Sequence, residues 1–305
     1  VLRAVITGVT GHLGQELAGQ LARDGVSVWG LTRQPIELGT HTPGILLKQI
    51  DGRTQTLVDL LREIRPDVTF HTAGLYRREH AIADISPLIE TNILFGAQLL
   101  EAMRCSGCRH LVTAGSYFQH FNAEDGGALN LYAATKQAFE DLLAYYVDVA
   151  CMSAIRLTLP DIYSEHDRRP KLMTAIATAW AEKKAVAFQD EEAWIDPVHV
   201  EDTASAFAEA SKLLESGAVA PGTISRFSVT CGRDVTASEL VTLFARLGGR
   251  MLDVTRGSGW RFSRRMKPWR GTLVPDWKQR VTLEDGIRRI IVSRSKTMRH
   301  DNELQ

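Results

Sequence analysis

Tyr132 and Lys136 stand four residues apart in LYAATKQAFEDLL, a stretch whose pattern reads as the opening turns of a helix. At that spacing two side chains share one helical face, one turn apart. The pairing has a chemical use. A phenol with an ordinary pKa of about 10 is a poor acid or base near neutrality, and a neighbouring ammonium stabilises its phenolate and lowers that value. Such a tyrosine can give a proton to a carbonyl oxygen, or take one from an alcohol, while hydride moves to or from a nicotinamide. A hydroxyl to orient the same oxygen is expected from the preceding strand, HLVTAGSYFQH, where Thr113 and Ser116 are the candidates. Ser116 is preferred, because it falls past the expected strand end while Thr113 is still inside it. A Tyr–Lys pair at this spacing is common on solvated helix faces, so its meaning depends on what precedes it.

What precedes it is a strand–turn–helix pattern suited to a dinucleotide. Residues 3–7 (RAVIT) form a short apolar, β-branched run, the mark of a buried strand. They lead into Gly8-Val-Thr10-Gly11-His12-Leu13-Gly14 and then a helix with Leu13, Leu17 and Leu21 in register, ended by Gly25. Glycines in such a turn let the backbone approach a pyrophosphate, and the helix N-terminus supplies N–H donors. Further strands are expected at 26–31, 45–50, 68–71, 109–113 and 153–158. Helices are expected over TLVDLLREI, 86–106 and from about 131. Alternation of this kind implies an α/β fold, a Rossmann-type doubly wound parallel sheet, with ligands beyond the carboxyl ends of its strands. Thr32-Arg33 ends the second strand where an acid usually binds the ribose of NAD, so NADP(H) is favoured and NAD(H) is the alternative. Arg33 as a solvated loop residue is the plainer reading. Asp51-Gly52 is placed to meet the adenine, and Thr72, Ala73 and Gly74 are small enough for the dinucleotide to lie against them.

Bulk properties exclude other classes. Across 305 residues, 36 basic and 36 acidic side chains cancel, so no global field attracts nucleic acid or an anionic membrane. Four irregularly spaced cysteines make no disulfide framework, and Cys105-x-x-Cys108 lacks a second pair at zinc spacing. The nine histidines show no metal-ligand spacing. No apolar run approaches the roughly 20 residues needed to span a bilayer. The chain opens directly on a strand, and a cytoplasmic protein is expected.

Together these residues resemble the extended short-chain dehydrogenases of the NAD-dependent epimerase/dehydratase superfamily. The resemblance rests on Gly8-x-x-Gly11-x-x-Gly14, His71-Thr-Ala-Gly74, Asn92 in ETNILFGAQLLEAM and Tyr132-x-x-x-Lys136. It continues through RLTLPDIYSEHD, Trp194-Ile-Asp196-Pro-Val-His199-Val-Glu-Asp202, and Asp276-Trp277 with Val281-Thr-Leu-Glu-Asp-Gly286. AGSYFQHFN with NLYAATKQAFEDLLAYY looks most like the CDP-paratose and CDP-abequose synthases, which reduce a nucleotide-linked 4-keto sugar. The resemblance implies Ser116, Tyr132 and Lys136 as catalytic residues, with Asn92 and Leu159 joining the cofactor site. It implies Tyr76, Gln119, His120, Asp161, Arg169, Lys171 and Arg261 toward the substrate. It also implies a nucleotide-binding domain of 1–158 plus about 201–225, a substrate domain of 159–200 and 226–305, and a homodimer.

The sequence departs from the family in three places. The stretch Ser116-Tyr117-Phe118 lacks the Asp-Glu pair of the dehydratases, Ile195 replaces the arginine before Asp196, and Gln119-His120 replaces a Tyr-Gly. The reading is an NADP(H)-dependent reductase of a nucleotide-linked keto sugar. Its alternatives are an epimerase holding NAD tightly and, more remotely, a non-catalytic NADP sensor. The basic run from Arg261 to Arg270, with Trp260, Phe262 and Trp269, is read either as phosphate contact or as a solvated loop. His71 and His199 are expected to be structural, Asp202 to cap its helix, and the last dozen residues to fray.

Overall fold

The computed structural model describes residues 1–33, 44–121, 126–188, 194–256 and 266–303, with side chains described as far as 296. In chain order the elements begin with β1 (Arg3–Thr7), α1 (His12–Arg23), β2 (Ser27–Thr32), β3 (Ile45–Gln49), α2 (Thr54–Ile64) and β4 (Val68–His71). Next come α3 (Ile85–Ile89), a π-turn (Glu90–Leu94), α4 (Phe95–Ser106), β5 (His110–Ser116), α5 (Leu131–Val149), β6 (Ser153–Leu159) and β7 (Asp161–Tyr163). The remainder are α6 (Leu172–Glu182), β8 (Val186–Phe188), β9 (Trp194–Ile195), β10 (Pro197–His199), α7 (Val200–Glu215), β11 (Thr223–Ser228), β12 (Val235–Thr236), α8 (Ala237–Gly248), β13 (Val254–Arg256) and α9 (Leu283–Glu303).

Two compact units result. The first comprises Val1–Leu159, Thr203–Val229 and Trp269–Trp277. Its sheet runs β11-β6-β5-β4-β1-β2-β3 with every neighbour parallel. The order reverses between β1 and β4, which is where doubly wound sheets bind ligands. Helix α2 buries Leu57, Val58, Leu61 and Ile64, one stripe at helical spacing. That stripe joins Leu99 and Leu100 of α4 and Phe139 and Leu143 of α5 in a single core.

The second unit comprises Pro160–Asp202, Thr230–Pro268 and Lys278–Gln305. It packs Ile176 and Trp180 of α6, Leu240 and Phe244 of α8, and Ile287 and Ile290 of α9 around Tyr163 and Phe188. Two-stranded pairs β7–β10, β8–β13 and β9–β12 edge this core.

Four local expectations change. Residues 269–277 belong with the sheet rather than with 226–305, because Ser228 N–H donates to Thr272 O and Ser228 bridges to Leu273. The expected helix over 86–106 is interrupted by the π-turn, a feature frequent at functional sites, and Asn92 in that turn is buried. Asp202 lies inside the first turn of α7, where its carboxylate accepts the N–H groups of Arg280 and Val281 instead of capping its own helix. Helix α9 continues to Glu303, through the stretch expected to fray. His199 is buried as expected; its Nδ1 accepts from Glu201 N–H and its Nε2 faces Glu165 at 3.1 Å.

Candidate active site

The turn between β1 and α1 is built from backbone. Gly8 has φ +73°, and a Cβ there would lie 2.6 Å from Ala73 N. A Cβ on Gly14 would lie 2.1 Å from Gly8 O. Neither position tolerates a side chain, so Gly8 pulls β1 against β4 and Gly14 seats α1 on the turn. Gly11 N–H donates to Gly8 O at 2.9 Å, closing it. Helix α1 has neither a side-chain cap nor an acid in its first turn. The helix N-terminus and the glycine turn together form a cradle that fits a dinucleotide pyrophosphate.

The neighbouring strand ends divide into backbone rim and structural ties. Thr72 turns its hydroxyl back onto Thr7 O at 2.8 Å, leaving Ala73 and Gly74 as the rim. Thr32 is buried and Arg33 exposed. Asp51 accepts Arg53 N–H at 3.0 Å, and this bond holds its carboxyl below the usual range. Asn92 is a tie as well. Its Oδ1 accepts Leu75 N–H at 2.7 Å, while its Nδ2 donates to Leu75 O and to Thr135 Oγ1 at 2.9 Å. It thus fastens the loop after β4 to the helix that carries the tyrosine.

That helix, α5, is N-capped by Asn130, whose Oδ1 accepts Ala133 N–H at 3.0 Å. The cap sets where Tyr132 begins the first turn, and Lys136 follows one turn later, 5% exposed. Burial draws the lysine down to about 8, with Arg156 adding to the effect and Glu140 opposing it. Tyr76 meets the Tyr132 ring edge-on at 5.0 Å and lies 6.3 Å from Phe118, so it does reach the candidate tyrosine. Beneath Lys136, Phe139 lies 5.7 Å from Nζ and packs on His71 at 5.0 Å. His71 shares a 2.7 Å hydrogen bond with Thr7, and burial, then Lys136, pushes its pKa down to about 3.

Ser116 is the last residue of β5, not a residue beyond it; the strand runs further than its apolar pattern suggests. Its Oγ accepts Phe118 N–H, and its N–H donates to Gln119 Oε1 at 2.8 Å. This is a Ser-x-x-Gln capping box closing the turn at 117–119. Gln119 is therefore turned inward, donating to Gln137 and Glu140 at 3.1 Å each, and it lines a cavity together with His120. His120 stacks on Trp269 at 3.9 Å and lines a cavity whose described wall includes none of Ser116, Tyr132 and Lys136.

Among the other expected substrate contacts, Arg169 is clamped by two bonds to Asp167 at 2.8 Å and one to Ile162 O. Asp161 donates its N–H to Asp196 O. The Lys171 ammonium, on a residue only partly buried, is drawn down to about 8 by desolvation and then by Arg169. Arg261 lies outside the described residues. The residues missed from sequence are Glu140 and Arg156, an ion pair at 3.0 Å behind Lys136. The signal was present, since Glu140 is one further turn along the Tyr132–Lys136 face.

A model of the NAD dependent epimerase/dehydratase family matches residues 4–220. The chain belongs to that family. It is an enzyme of this NAD(P)-dependent oxidoreductase and epimerase group. Over 320 residues it is 24% identical to a UDP-glucose 4-epimerase of Mycolicibacterium smegmatis, covering 95% of this chain and 97% of that one. Solved structures of like fold include the Thermus thermophilus UDP-glucose 4-epimerase in complex with NAD, with TM-score 0.80, 22% identity and coverage of 96% of this chain and 99% of that one. Another is the Bacillus cereus UDP-glucuronic acid 4-epimerase in complex with UDP-glucuronic acid and NAD, with TM-score 0.84, 18% identity and coverage of 97% and 100%.

These relatives correct two expectations. The reading as an NADP(H)-dependent ketoreductase is overturned, because the family members this chain matches are nucleotide-sugar epimerases. The preference for NADP(H) is overturned with it, because their structures hold NAD. The inference from Thr32-Arg33 failed for a physical reason: one exposed arginine after the second strand is not a phosphate site, and residues 34–43 that follow it lie outside the described residues. No described helix is long and apolar enough to cross a membrane.

Proposed function

We propose that this enzyme is a nucleotide-sugar 4-epimerase working on tightly held NAD, with a UDP-hexose or UDP-hexuronic acid as substrate. The observation that carries the reading is Tyr132 and Lys136 one turn apart on α5, with Ser116 ending the preceding strand and a glycine cradle after β1, and with no Asp-Glu pair following Ser116. Glu140, the acid one turn beyond Lys136, is held by Arg156 and Arg226, while Glu124 and Asp125 lie outside the described residues. The epimerase relatives support the same reaction class and the same coenzyme.

NAD bound at the Gly8–Gly14 cradle supplies a hydride acceptor that later becomes the donor. Tyr132 takes the proton of the sugar C4 hydroxyl as that carbon loses its hydride, which leaves a 4-keto sugar. Lys136 favours the phenolate form by its charge, and Ser116 orients the same oxygen. After the sugar turns over, Tyr132 returns the proton as the hydride comes back to the opposite face. Substrate and product then differ only at one stereocentre, and no external reductant is consumed.

The reading includes a homodimer. Ile85, Ile89 and Leu94 on α3 and the π-turn, with Tyr145 and Val149 on α5, are exposed apolar side chains suited to burial by a second copy. The test is to incubate the protein, without added coenzyme, with a panel of UDP-hexoses and UDP-hexuronic acids and follow C4 configuration by proton NMR. Interconversion of one pair supports the proposal, and inertness toward the whole panel refutes it.

A further inference from the structure

On the first unit a cavity of about 930 Å³, whose described lining includes neither Tyr132 nor Lys136, opens beside β6 and β11. That lies within the range of small-molecule sites, about 300–1,000 Å³. Among the described residues its lining contains Arg156, Arg226 and Arg270 against one carboxylate, Glu140. Arg156 is 3% exposed: it pairs with Glu140, donates to Thr158 Oγ1 and faces His120 Nε2 at 3.3 Å. It is a fixed floor. Arg226 differs. Only its Nε is engaged among the described residues, on Glu140 at 2.7 Å, and its side chain is 53% exposed. Its two terminal nitrogens are left to the cavity.

We infer that this cavity is a second ligand site, separate from the catalytic wall, that binds a small phosphate-bearing anion through Arg226 and Arg270. Among the described residues the lining carries three guanidinium charges against one carboxylate, an excess that favours an anion, and guanidinium groups match phosphate oxygens two at a time. Trp269 does not offer a stacking platform for a base. His120 already stacks on it, and its ring runs so close to Gly271 that a Cβ there would lie 2.6 Å from it. Recognition is therefore by charge and not by a nucleobase. Glu140 and Arg156 of the lining also stand behind Lys136, but Arg226 and Arg270, which would hold the anion, have no part in the proposed epimerase machinery, so the inference stands apart from that reading.

The experiment is calorimetric titration of the full-length, NAD-saturated protein with inorganic pyrophosphate and, separately, with glucose 1-phosphate, the two probes distinguishing an inorganic from an organic source. Binding of either, weakened by salt and by about tenfold or more in Arg226→Gln/Arg270→Gln, is the expected result, since each charge-assisted contact is worth about 1.5–3 kcal/mol. The single Arg270→Gln, which leaves the Glu140 pair intact, must weaken binding in the same direction if the double variant fails to fold. Absence of binding by both probes, or unchanged affinity in Arg270→Gln, would overturn the inference.

Discussion

The glycine turn after β1 and the wall on α5 lie in one unit but are made in opposite ways. The turn consists of backbone: Gly8 and Gly14 matter for what they lack, since a Cβ at either would strike the chain within 2.6 Å. The wall consists of side chains held by other side chains: Asn92 ties its loop, Asn130 caps its helix, and Glu140 with Arg156 sits behind its lysine. A backbone site fails abruptly when one atom is added. A side-chain site degrades by steps, according to how near the lost group is to the reacting oxygen.

The largest expected effect falls on the wall. Tyr132→Phe should lower turnover by about 10²–10⁴-fold, the usual contribution of a positioned acid/base, while the protein still binds NAD. On the turn, Gly14→Ala should leave a protein that no longer retains NAD after gel filtration, with turnover recovered only in part by added coenzyme. If Gly14→Ala retains NAD as the parent does, the contrast between the two regions collapses.

Lys136 gives a smaller, pH-dependent effect. Its folded pKa of about 8 lies below the ordinary 10.5, so the charge that supports the phenolate is lost as pH rises through about 8. Turnover should fall on that alkaline limb, and Lys136→Arg, which stays charged, should move the limb upward. An unmoved limb would assign it to another group.

The smallest expected effect concerns stability. His71 has a folded pKa of about 3 against 6.5 in the unfolded chain, so the unfolded chain binds more protons between those values. Stability should therefore drop as pH falls from 6.5 toward 3. In denaturant titrations, His71→Gln should show a shallower acid loss than the parent, whatever its stability at neutral pH.

The same contrast explains what could be read from the sequence. Gly8-x-x-Gly11-x-x-Gly14 is local, so its turn and the strand and helix flanking it were legible. Tyr132 and Lys136 share one helical turn and were legible for the same reason. The functions of Gln119, Asn92 and Asp202 depend on partners distant in sequence or on a turn that reverses the side chain. Gln119 closes a capping box with Ser116, a signal present in the Ser-x-x-Gln spacing. Asn92 meets Thr135 across 43 residues, and Asp202 meets Val281 across 79, neither of which periodicity can reveal. Coenzyme choice failed because it was drawn from one arginine and not from a site.

The central claim is that the reaction closes on a coenzyme the protein keeps. The direct measurement is the NAD and NADP released when the purified protein is denatured, counted against protein chains and paired with turnover of UDP-glucose without added coenzyme. The expected result is NAD approaching one per chain, no NADP, and epimerisation that needs no supplement. A protein that releases no dinucleotide, and that oxidises added NADPH only when given a keto sugar, would contradict the account.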